Sequence, residues 1–478
     1  MPKITTNFIY NVALTLSTYL INLILFPYVS RVLGVDMVGR VGFVNETISY
    51  FSLFAMLGVT MVGIREIAAC GNDRERRSQV FSSLMVFVGI LTAVVTVVYL
   101  VAIFVMNRFL EDRTLFIIGT GSLLFTSLLI EWFYQGMEYF RYVTVRSLLV
   151  KLVYAVTVFL TVRRPEDYVL YFTLTVGTVI VNALINIGYS RRFVAFSFRN
   201  LNLRRYLRPV VSLGLYKVMI SMYTTFNVIY LGFLSSNVEV GYYYSAKKLF
   251  YILLGLFSAF TSVMLPRMST LVENRQEQEF HRKVGQMFDL VFAVALPLIV
   301  FLVIMAPQII GLMSGPGYEG AILPMRIITP VLLLSSMAQI WVIQILMPLR
   351  KDRVILLSSV MGAFTGIVTN ILFVGRLGAV GSAIVLLCSE LAGNLYSFVY
   401  SIRKGYLRLP LKQAGIFLVG TVPYVLCCLP GFLIDGNFLP ILVTGILCLL
   451  YFMLFNGVLY KNSSVSFYMR STLSRIIR

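Results

Sequence analysis

The sequence predicts an all-α polytopic membrane protein. Of the 478 residues, 59% are hydrophobic and only 13% are charged, whereas soluble domains carry roughly 25% charged residues. The mean hydropathy is +0.87. Apolar runs of about 20 residues, the length that a helix needs to cross roughly 30 Å of hydrocarbon, recur along the chain. The chain is therefore expected to cross a bilayer many times.

About fourteen transmembrane helices can be placed on these runs. The first has a long apolar stretch without a small-residue cleavage site, so we expect a retained helix and not a removable signal peptide. In chain order, the fourteen segments span residues 8–33, 41–64, 79–105, 114–134, 143–161, 168–189, 209–233, 242–265, 285–314, 322–347, 354–375, 378–402, 412–433 and 438–460.

The net charge of +20 reflects membrane topology and does not indicate a nucleic-acid partner. Of the 40 basic residues, about 28 fall in the even-numbered loops and the two tails, and about 7 fall in the odd-numbered loops. Lys and Arg are retained on the cytoplasmic side of membrane proteins. This asymmetry predicts that both termini are cytoplasmic.

An internal repeat is predicted from three pairs of matching positions. Val38 and Gly39 correspond to Val240 and Gly241, and Arg65 corresponds to Arg267, all with the same offset of 202 residues. We therefore expect an N-terminal six-helix bundle over 1–200 and a C-terminal six-helix bundle over 201–403. Residues 404–478 would add a helix pair and a cytoplasmic tail. Parallel repeats of this kind place the transport route where the two halves meet.

Five basic residues lie more than three residues from the ends of the predicted helices. A cation in a transmembrane segment marks a binding site or route by default, although one near a helix end can snorkel to the headgroups. Lys217 lies about eight residues, or about 12 Å at 1.5 Å per residue, from the cytoplasmic end of its helix, which is deep for snorkelling. The five residues are Lys151, Lys217, Lys247, Lys248 and Arg326.

Polar residues recur at helical spacing in three of the predicted helices. Residues spaced by three or four share one helix face, and such a face turns toward neighbouring helices or a wet cavity in preference to lipid. Both interpretations remain open for the Asn, Ser and Thr residues. The faces comprise Asn11, Thr15, Thr18 and Asn22 in helix one, Asn45, Ser49 and Ser52 in helix two, and Lys217, Ser221 and Thr224 in helix seven.

The sequence shows no pattern typical of a metal site or a disulfide framework. The five cysteines lack ligand spacing, and His281, the only histidine, lies in a basic cytoplasmic loop, where we expect it to be solvated. No metal ion and no cofactor are expected.

Four short motifs resemble polysaccharide-transporter flippases of the multidrug, oligosaccharidyl-lipid and polysaccharide exporter superfamily. They are PYVSRVLG at 27–34, REIA at 65–68, EWFYQGMEYF at 131–140 and LPRMS at 265–269. The resemblance implies two six-helix bundles around a central cavity in a bacterial inner membrane. It also implies transport of an O-antigen-type oligosaccharide on polyprenyl diphosphate between leaflets by alternating access. Arg31 and Arg65 occupy motif positions typical of the family, whereas Arg40 and Glu46 depart from its pattern.

The buried lysines suggest an anion-binding role. A diphosphate needs cationic partners along a hydrated route, because hydrocarbon cannot solvate its charge. Adjacent helix residues diverge by about 100°, so one of Lys247 and Lys248 would face the route while the other snorkels or contacts Tyr242, Tyr243 or Tyr244. We expect Lys151 and Lys217 to bind substrate in the cytoplasmic half, and Lys247, Lys248, Arg326 and Arg31 in the outer half. Asn22 and Ser221 are further expected substrate-binding residues.

Glu390 is the acidic residue nearest the predicted middle of the membrane. It either forms an ion pair or hydrogen bond with neighbouring helices, or it binds the proton or sodium ion that couples transport to a gradient. A drug or cation antiporter of the same superfamily and a membrane polysaccharide polymerase are the alternative functions. Membrane lipids and a polysaccharide polymerase are the expected partners besides the substrate.

Overall fold

The protein is helical throughout the part of the chain that its computed structural model describes, residues 3–198, 201–407 and 411–460, and these ranges contain no strand. This confirms the all-α prediction. The chain divides into two compact units, Met1–Gly241 and Tyr242–Arg478. The predicted division into 1–200, 201–403 and 404–478 stays a prediction. Several basic residues of the charge count have side chains outside the described part, namely Lys3, Arg199, Arg408, Lys461, Arg470, Arg475 and Arg478.

The first unit contains ten helices and the start of an eleventh within its described residues. A 3₁₀ turn, Pro165–Asp167, leads into the eighth. The helices are α1 Lys3–Met56, α2 Val59–Ala68, α3 Arg74–Val105, α4 Asn107–Leu110, α5 Arg113–Thr126, α6 Glu131–Gly136, α7 Phe140–Thr161, α8 Tyr168–Ser190, α9 Leu203–Thr224, α10 Phe226–Leu234 and α11 Asn237–Glu273.

The second unit contains the rest of α11 and eight further α-helices in its described ranges. They are α12 Glu277–Ile304, α13 Ala306–Met313, α14 Ile322–Ile328, α15 Val331–Ala338, α16 Asp352–Thr369, α17 Gly375–Arg403, α18 Leu411–Cys428 and α19 Phe438–Leu454. Short 3₁₀ or π-helical stretches adjoin them at Glu319–Ala321, Gln339–Leu346, Asn370–Val374, Leu429–Phe432 and Phe455–Leu459.

Twelve helices among the described residues are long and apolar enough to cross a membrane, so the chain is a multi-pass membrane protein. Two of the twelve, Leu16–Met56 and Asp352–Arg403, contain a glycine outside helical geometry: Gly34 (φ 74, ψ 170) and Gly378 (φ 53, ψ −126). Dividing them at these glycines gives fourteen helical segments. The predicted number of membrane crossings stays a prediction.

Gly378 lies at the turn of an antiparallel helix pair. Gly381 lies against Phe373, where an added Cβ would be 2.5 Å from the carbonyl oxygen of Phe373. Farther from the turn, Ser358 Oγ donates to the carbonyl of Gly393 at 2.9 Å. Each pair joins a position before the glycine to one after it, and the second pair is farther from the glycine on both sides, which indicates that the chain doubles back there. Glycine tolerates the positive φ that such a reversal requires.

Gly34 separates two stretches of α1 that pack on different neighbours. Before the glycine, Lys151 Nζ donates to Thr18 Oγ1 at 2.5 Å and Tyr28 Oη donates to the carbonyl of Val162 at 2.7 Å. This stretch therefore runs parallel to α7. The stretch after the glycine packs against α5 instead, as in the edge-on contact of the Phe43 and Phe116 rings.

Several predicted spans are interrupted inside the membrane-length segment. The second is broken at Leu57 (φ 34), the fourth at Ile130 (φ 39) and the tenth before Val331 at Pro330. Among them only Pro330 carries a sequence signal, because proline cannot donate the helical hydrogen bond. Positive φ at Leu57 and Ile130 is uncommon for bulky residues and has to be held by the surrounding packing.

At one end of the first unit, the core consists of closely packed aromatic side chains. Trp132 and Phe133 of α6 are almost fully buried; the Trp132 ring is tilted against Phe81 of α3, and the Phe133 ring meets Phe81 edge-on. Gly63 of α2 allows this approach, because an added Cβ there would lie 2.3 Å from the Trp132 ring. The packing anchors α6 and so fixes the position of Glu131 at its first turn.

Candidate functional site

Lys217 of α9 is a half-buried cation in a membrane-spanning helix. Within the described ranges, its ammonium group forms neither a hydrogen bond nor an ion pair. An ammonium group withdrawn from water loses hydration that an anionic partner would otherwise replace. The absence of a described counter-charge makes Lys217 the clearest candidate for binding an anion.

Lys151 does find a partner in the protein. Its Nζ donates to Thr18 Oγ1 at 2.5 Å, and Asn22 Nδ2 of the same α1 face donates to the carbonyl of Thr18 at 2.9 Å. The structure thus brings together Lys151 and Asn22, which were predicted from separate patterns. The ammonium group retains further donors after this bond, so the cluster can both join α1 to α7 and bind an acceptor.

The other members of the polar faces are placed differently. Ser221 is 7% exposed, and its hydroxyl donates to the carbonyl of Val218 in its own helix at 2.7 Å. Ser49 is exposed, whereas Asn45 and Ser52 are half-buried. The predicted positions Asn11 and Thr15 have side chains outside the described part of the chain.

Lys247 and Lys248 of α11 each lie near a tyrosine ring. Lys248 Nζ is 5.6 Å from the Tyr244 ring centroid, which confirms the predicted cation–π contact for one of the two lysines. Lys247 is 6% exposed, and its Nζ is 5.7 Å from the ring of Tyr251. The Tyr251 contact was not predicted, although Tyr251 lies four residues after Lys247, at the spacing that joins side chains along a helix.

The two predicted arginines of the outer half are exposed. Arg326 Nε donates to the backbone carbonyl of Val303 at 3.1 Å, and the residue as a whole is exposed. Arg31 lies on the last turn before Gly34 and is also exposed. Both placements agree with the snorkelling alternative as well as with substrate binding.

Glu390 of α17 accepts hydrogen bonds from two side chains. Ser335 Oγ donates to its Oε2 at 3.1 Å, and Asn394 Nδ2 donates to the same oxygen at 2.8 Å. This supports the structural alternative, and it also describes a carboxylate held in place for ion binding. Among the described residues, no three His, Cys, Asp or Glu side chains are grouped to hold a metal ion.

Arg146 was included in the count of basic residues in the even-numbered loops, although the predicted segment 143–161 contains it, and the loop placement was wrong. It lies in α7, is 6% exposed, and its Nη2 is 2.7 Å from Glu131 Oε1. Nη2 also donates to Ser147 Oγ at 2.7 Å. The signal was available, because Glu131 and Arg146 are opposite charges on two consecutive segments whose ends meet at one turn.

A charged network at one end of the first unit also escaped sequence reasoning. Arg40 bonds Asp36 and Asp112, each at 3.2 Å, while Arg108 bonds Asn237 and the carbonyl of Gly232. Burial raises the pKa of the Asp112 carboxyl, although the Arg40 and Arg108 guanidinium groups favour its charged form.

The two glycines that indicated the internal repeat lie beside each other next to this network. A Cβ on Gly39 would lie 1.8 Å from the carbonyl oxygen of Asn237, and a Cβ on Gly241 would lie 2.3 Å from that of Val35. Glycine at both positions lets α1 and the start of α11 approach to backbone contact. The matched letters therefore mark a close helix crossing.

The chain matches one protein family and is similar in sequence to two named transporters. The family described as "Polysaccharide biosynthesis protein" matches residues 4–272. The chain is 26% identical over 396 residues to the "Putative O-antigen transporter" of Escherichia coli (strain K12), covering 80% of this chain and 93% of that protein. It is 25% identical over 384 residues to the "Putative O-antigen transporter" of Shigella dysenteriae, covering 78% and 94%.

Two solved structures share the fold. A "Lipid II flippase MurJ, inward closed conformation" superposes with a TM-score of 0.79 at 12% identity, covering 95% of this chain and 99% of that chain. An inward-facing MATE family transporter of the MOP superfamily gives a TM-score of 0.61 at 17% identity, covering 83% and 94%. At these identities the likeness establishes the architecture alone.

Proposed function

Because the chain belongs to the family described as polysaccharide biosynthesis protein, we propose that it is a flippase. Its substrate is a polyprenyl-diphosphate-linked oligosaccharide, which it moves from the cytoplasmic to the outer leaflet by alternating access for surface polysaccharide biosynthesis. The names of the two similar O-antigen transporters and of the structurally similar lipid II flippase support this substrate class.

The observation that carries the proposal is the state of Lys217. A half-buried ammonium group without a described protein counter-charge suits a ligand that brings its own negative charge. A diphosphate does so, and charge-assisted hydrogen bonds to phosphate oxygens are among the strongest in proteins. Lys151, with Asn22 beside it, would offer the same group a second cation in the first unit.

Lysines of the second unit extend this role. Lys247 and Lys248 remain as proposed binding residues, with Arg326 and Arg31 as exposed cations that would meet the phosphate near a membrane surface. Ser221 and the rest of the polar faces would contact the sugars. The tyrosines beside the lysines restrain the ammonium groups by cation–π attraction.

Localisation and partners follow from the same proposal. We place the protein in the bacterial inner membrane with both termini cytoplasmic, as the distribution of basic residues indicates. The translocated unit would pass to a polysaccharide polymerase, a separate enzyme, since the flippase itself breaks and forms no covalent bond. No cofactor is proposed, and Glu390 is the proposed proton or sodium site.

Transport assays on the purified protein in liposomes test the function. We expect flipping of radiolabelled lipid-linked oligosaccharide, without drug efflux and without sugar polymerisation. Replacing both Lys247 and Lys248 by Ala should slow flipping, while the exposed Lys404→Ala serves as the matched control. Efflux of cationic drugs without lipid flipping would instead identify an antiporter of the same fold.

A further inference from the structure

A cavity of about 890 Å³ opens on the surface of the first unit. It is formed by the turn after α6, the first half of α7 and the last half of α8. Its volume lies within the range of about 300–1,000 Å³ that holds small ligands. None of the proposed flipping residues lines this cavity.

One end of the cavity is basic. Arg141 is exposed there and, within the described residues, forms no hydrogen bond, ion pair or ring contact. Arg146 also lines the cavity, with its Cζ 6.0 Å from the Tyr142 ring centroid; it is 6% exposed, and its Nη2 bonds Glu131. Glu138 is at this end too, and it is engaged with other residues. Together the two guanidinium groups give this part of the lining a positive charge that favours an anionic ligand.

The middle of the cavity is aromatic. The Tyr142 and Tyr189 rings stack at 4.1 Å with an angle of 19° between their planes. Arg192 Cζ lies 5.2 Å from the Tyr189 ring centroid and adds positive charge nearby. Tyrosines of this kind suit the membrane–water boundary, where one end of the ring is apolar and the other is wet.

The other end is aliphatic and faces the surroundings of the protein. Val145, Leu149 and Ile185 line it and are 46%, 58% and 41% exposed. Exposed aliphatic side chains on membrane-spanning helices contact lipid chains. The cavity therefore changes along α7 from cationic to apolar within about two helical turns.

We propose that this cavity binds an anionic glycerophospholipid of the cytoplasmic leaflet. The phosphate would accept hydrogen bonds from the exposed Arg141, with the Arg146 guanidinium adding positive charge nearby, and an acyl chain would lie along Val145, Leu149 and Ile185. Basic pockets between transmembrane helices on the cytoplasmic side bind anionic headgroups in this way. The site contains none of the proposed flipping residues. The proposal therefore does not depend on which substrate the protein carries.

Native mass spectrometry of the full-length protein tests the proposal. The detergent-purified protein is incubated with equimolar phosphatidylglycerol, cardiolipin and phosphatidylethanolamine, and the retained lipid is identified. We expect the anionic lipids to be retained about tenfold better than phosphatidylethanolamine, a ratio typical of one charge-assisted hydrogen bond. Arg141→Gln should remove this preference, and Arg74→Gln, an exposed arginine of α3, should keep it.

A second variant tests the acyl-chain end. Leu149→Trp fills the exposed aliphatic end without disturbing the buried face of α7, and it should lower retention of every glycerophospholipid. Equal retention by Arg141→Gln and Arg74→Gln would overturn the proposal. So would retention of phosphatidylethanolamine equal to that of the anionic lipids, or retention of a polyprenyl diphosphate in place of glycerophospholipids.

Discussion

Replacing Lys217 by Met removes one charge while keeping the length of the side chain. If the ammonium group binds a phosphate oxygen, its loss removes a hydrogen bond between charged groups, worth about 1.5–3 kcal/mol. This corresponds to about 10- to 150-fold weaker substrate binding. Lys217→Arg keeps the charge and should retain most of the activity.

The same substitution should leave the fold intact. Lys217 has no ion pair among the described residues, so Met removes no described attraction and relieves the desolvation of a half-buried charge. The melting temperature of Lys217→Met should equal or exceed that of the unmodified protein. Arg146→Met is the contrast, because it breaks the 2.7 Å pair with Glu131. It should lower the free energy of unfolding by about 3 kcal/mol, the lower end for buried pairs, since Glu131 is 38% exposed.

Initial flipping rates in liposomes, measured across a range of lipid-linked oligosaccharide concentrations, provide the assay. A raised half-saturation concentration with unchanged melting temperature is the expected result for Lys217→Met. Two results would refute the reasoning: full flipping at matched protein levels, or a loss of stability as large as that of Arg146→Met.

Three further predictions concern the backbone, coupling and pH. Gly34→Ala should lower the free energy of unfolding by about 1–3 kcal/mol, since Gly34 has φ 74 and ψ 170. Gly89→Ala inside α3 should not lower it. Thermal unfolding that ranks the two variants in the opposite order would contradict this. Glu390→Gln should abolish the dependence of flipping on a proton or sodium gradient, and an unchanged dependence would exclude Glu390 as the coupling site. Asp112 has a raised pKa when folded, so it binds its proton more tightly in the folded state. Its contribution to stability should therefore decline as pH rises through that pKa. The difference in melting temperature between Asp112→Asn and the unmodified protein should shift in favour of the variant over that range, and a difference independent of pH would contradict the assignment.

The sequence predicted the helices well where hydropathy decides them, and less well where packing does. The run at 354–375 and the next at 378–402 meet at Gly378, where the structure reverses. The break at Ile130 could not be foreseen, because nothing in an apolar run indicates that a bulky residue is held at positive φ.

The candidate site follows the same rule. Charges deep in an apolar run, such as Lys217, were found because the sequence alone shows that such a charge would be buried in the membrane, which is energetically costly. Arg146 was missed because it lies only seven residues into α7, where hydropathy does not separate a loop residue from a buried one. Its partner, Glu131, lies on the preceding helix, so their opposite charges could have suggested the pair, and the structure places the two groups 2.7 Å apart.

The Arg146–Glu131 pair also bears on how the protein is made. Each charge raises the free energy of inserting its own segment by about 2.5–3.5 kcal/mol if it enters the bilayer centre alone. Fifteen residues separate the two, so both are inside the translocon before either segment has been released. Two segments whose charges pair there have a lower free energy of insertion together than separately. Insertion of this bundle would then proceed by helical hairpins and not by single helices.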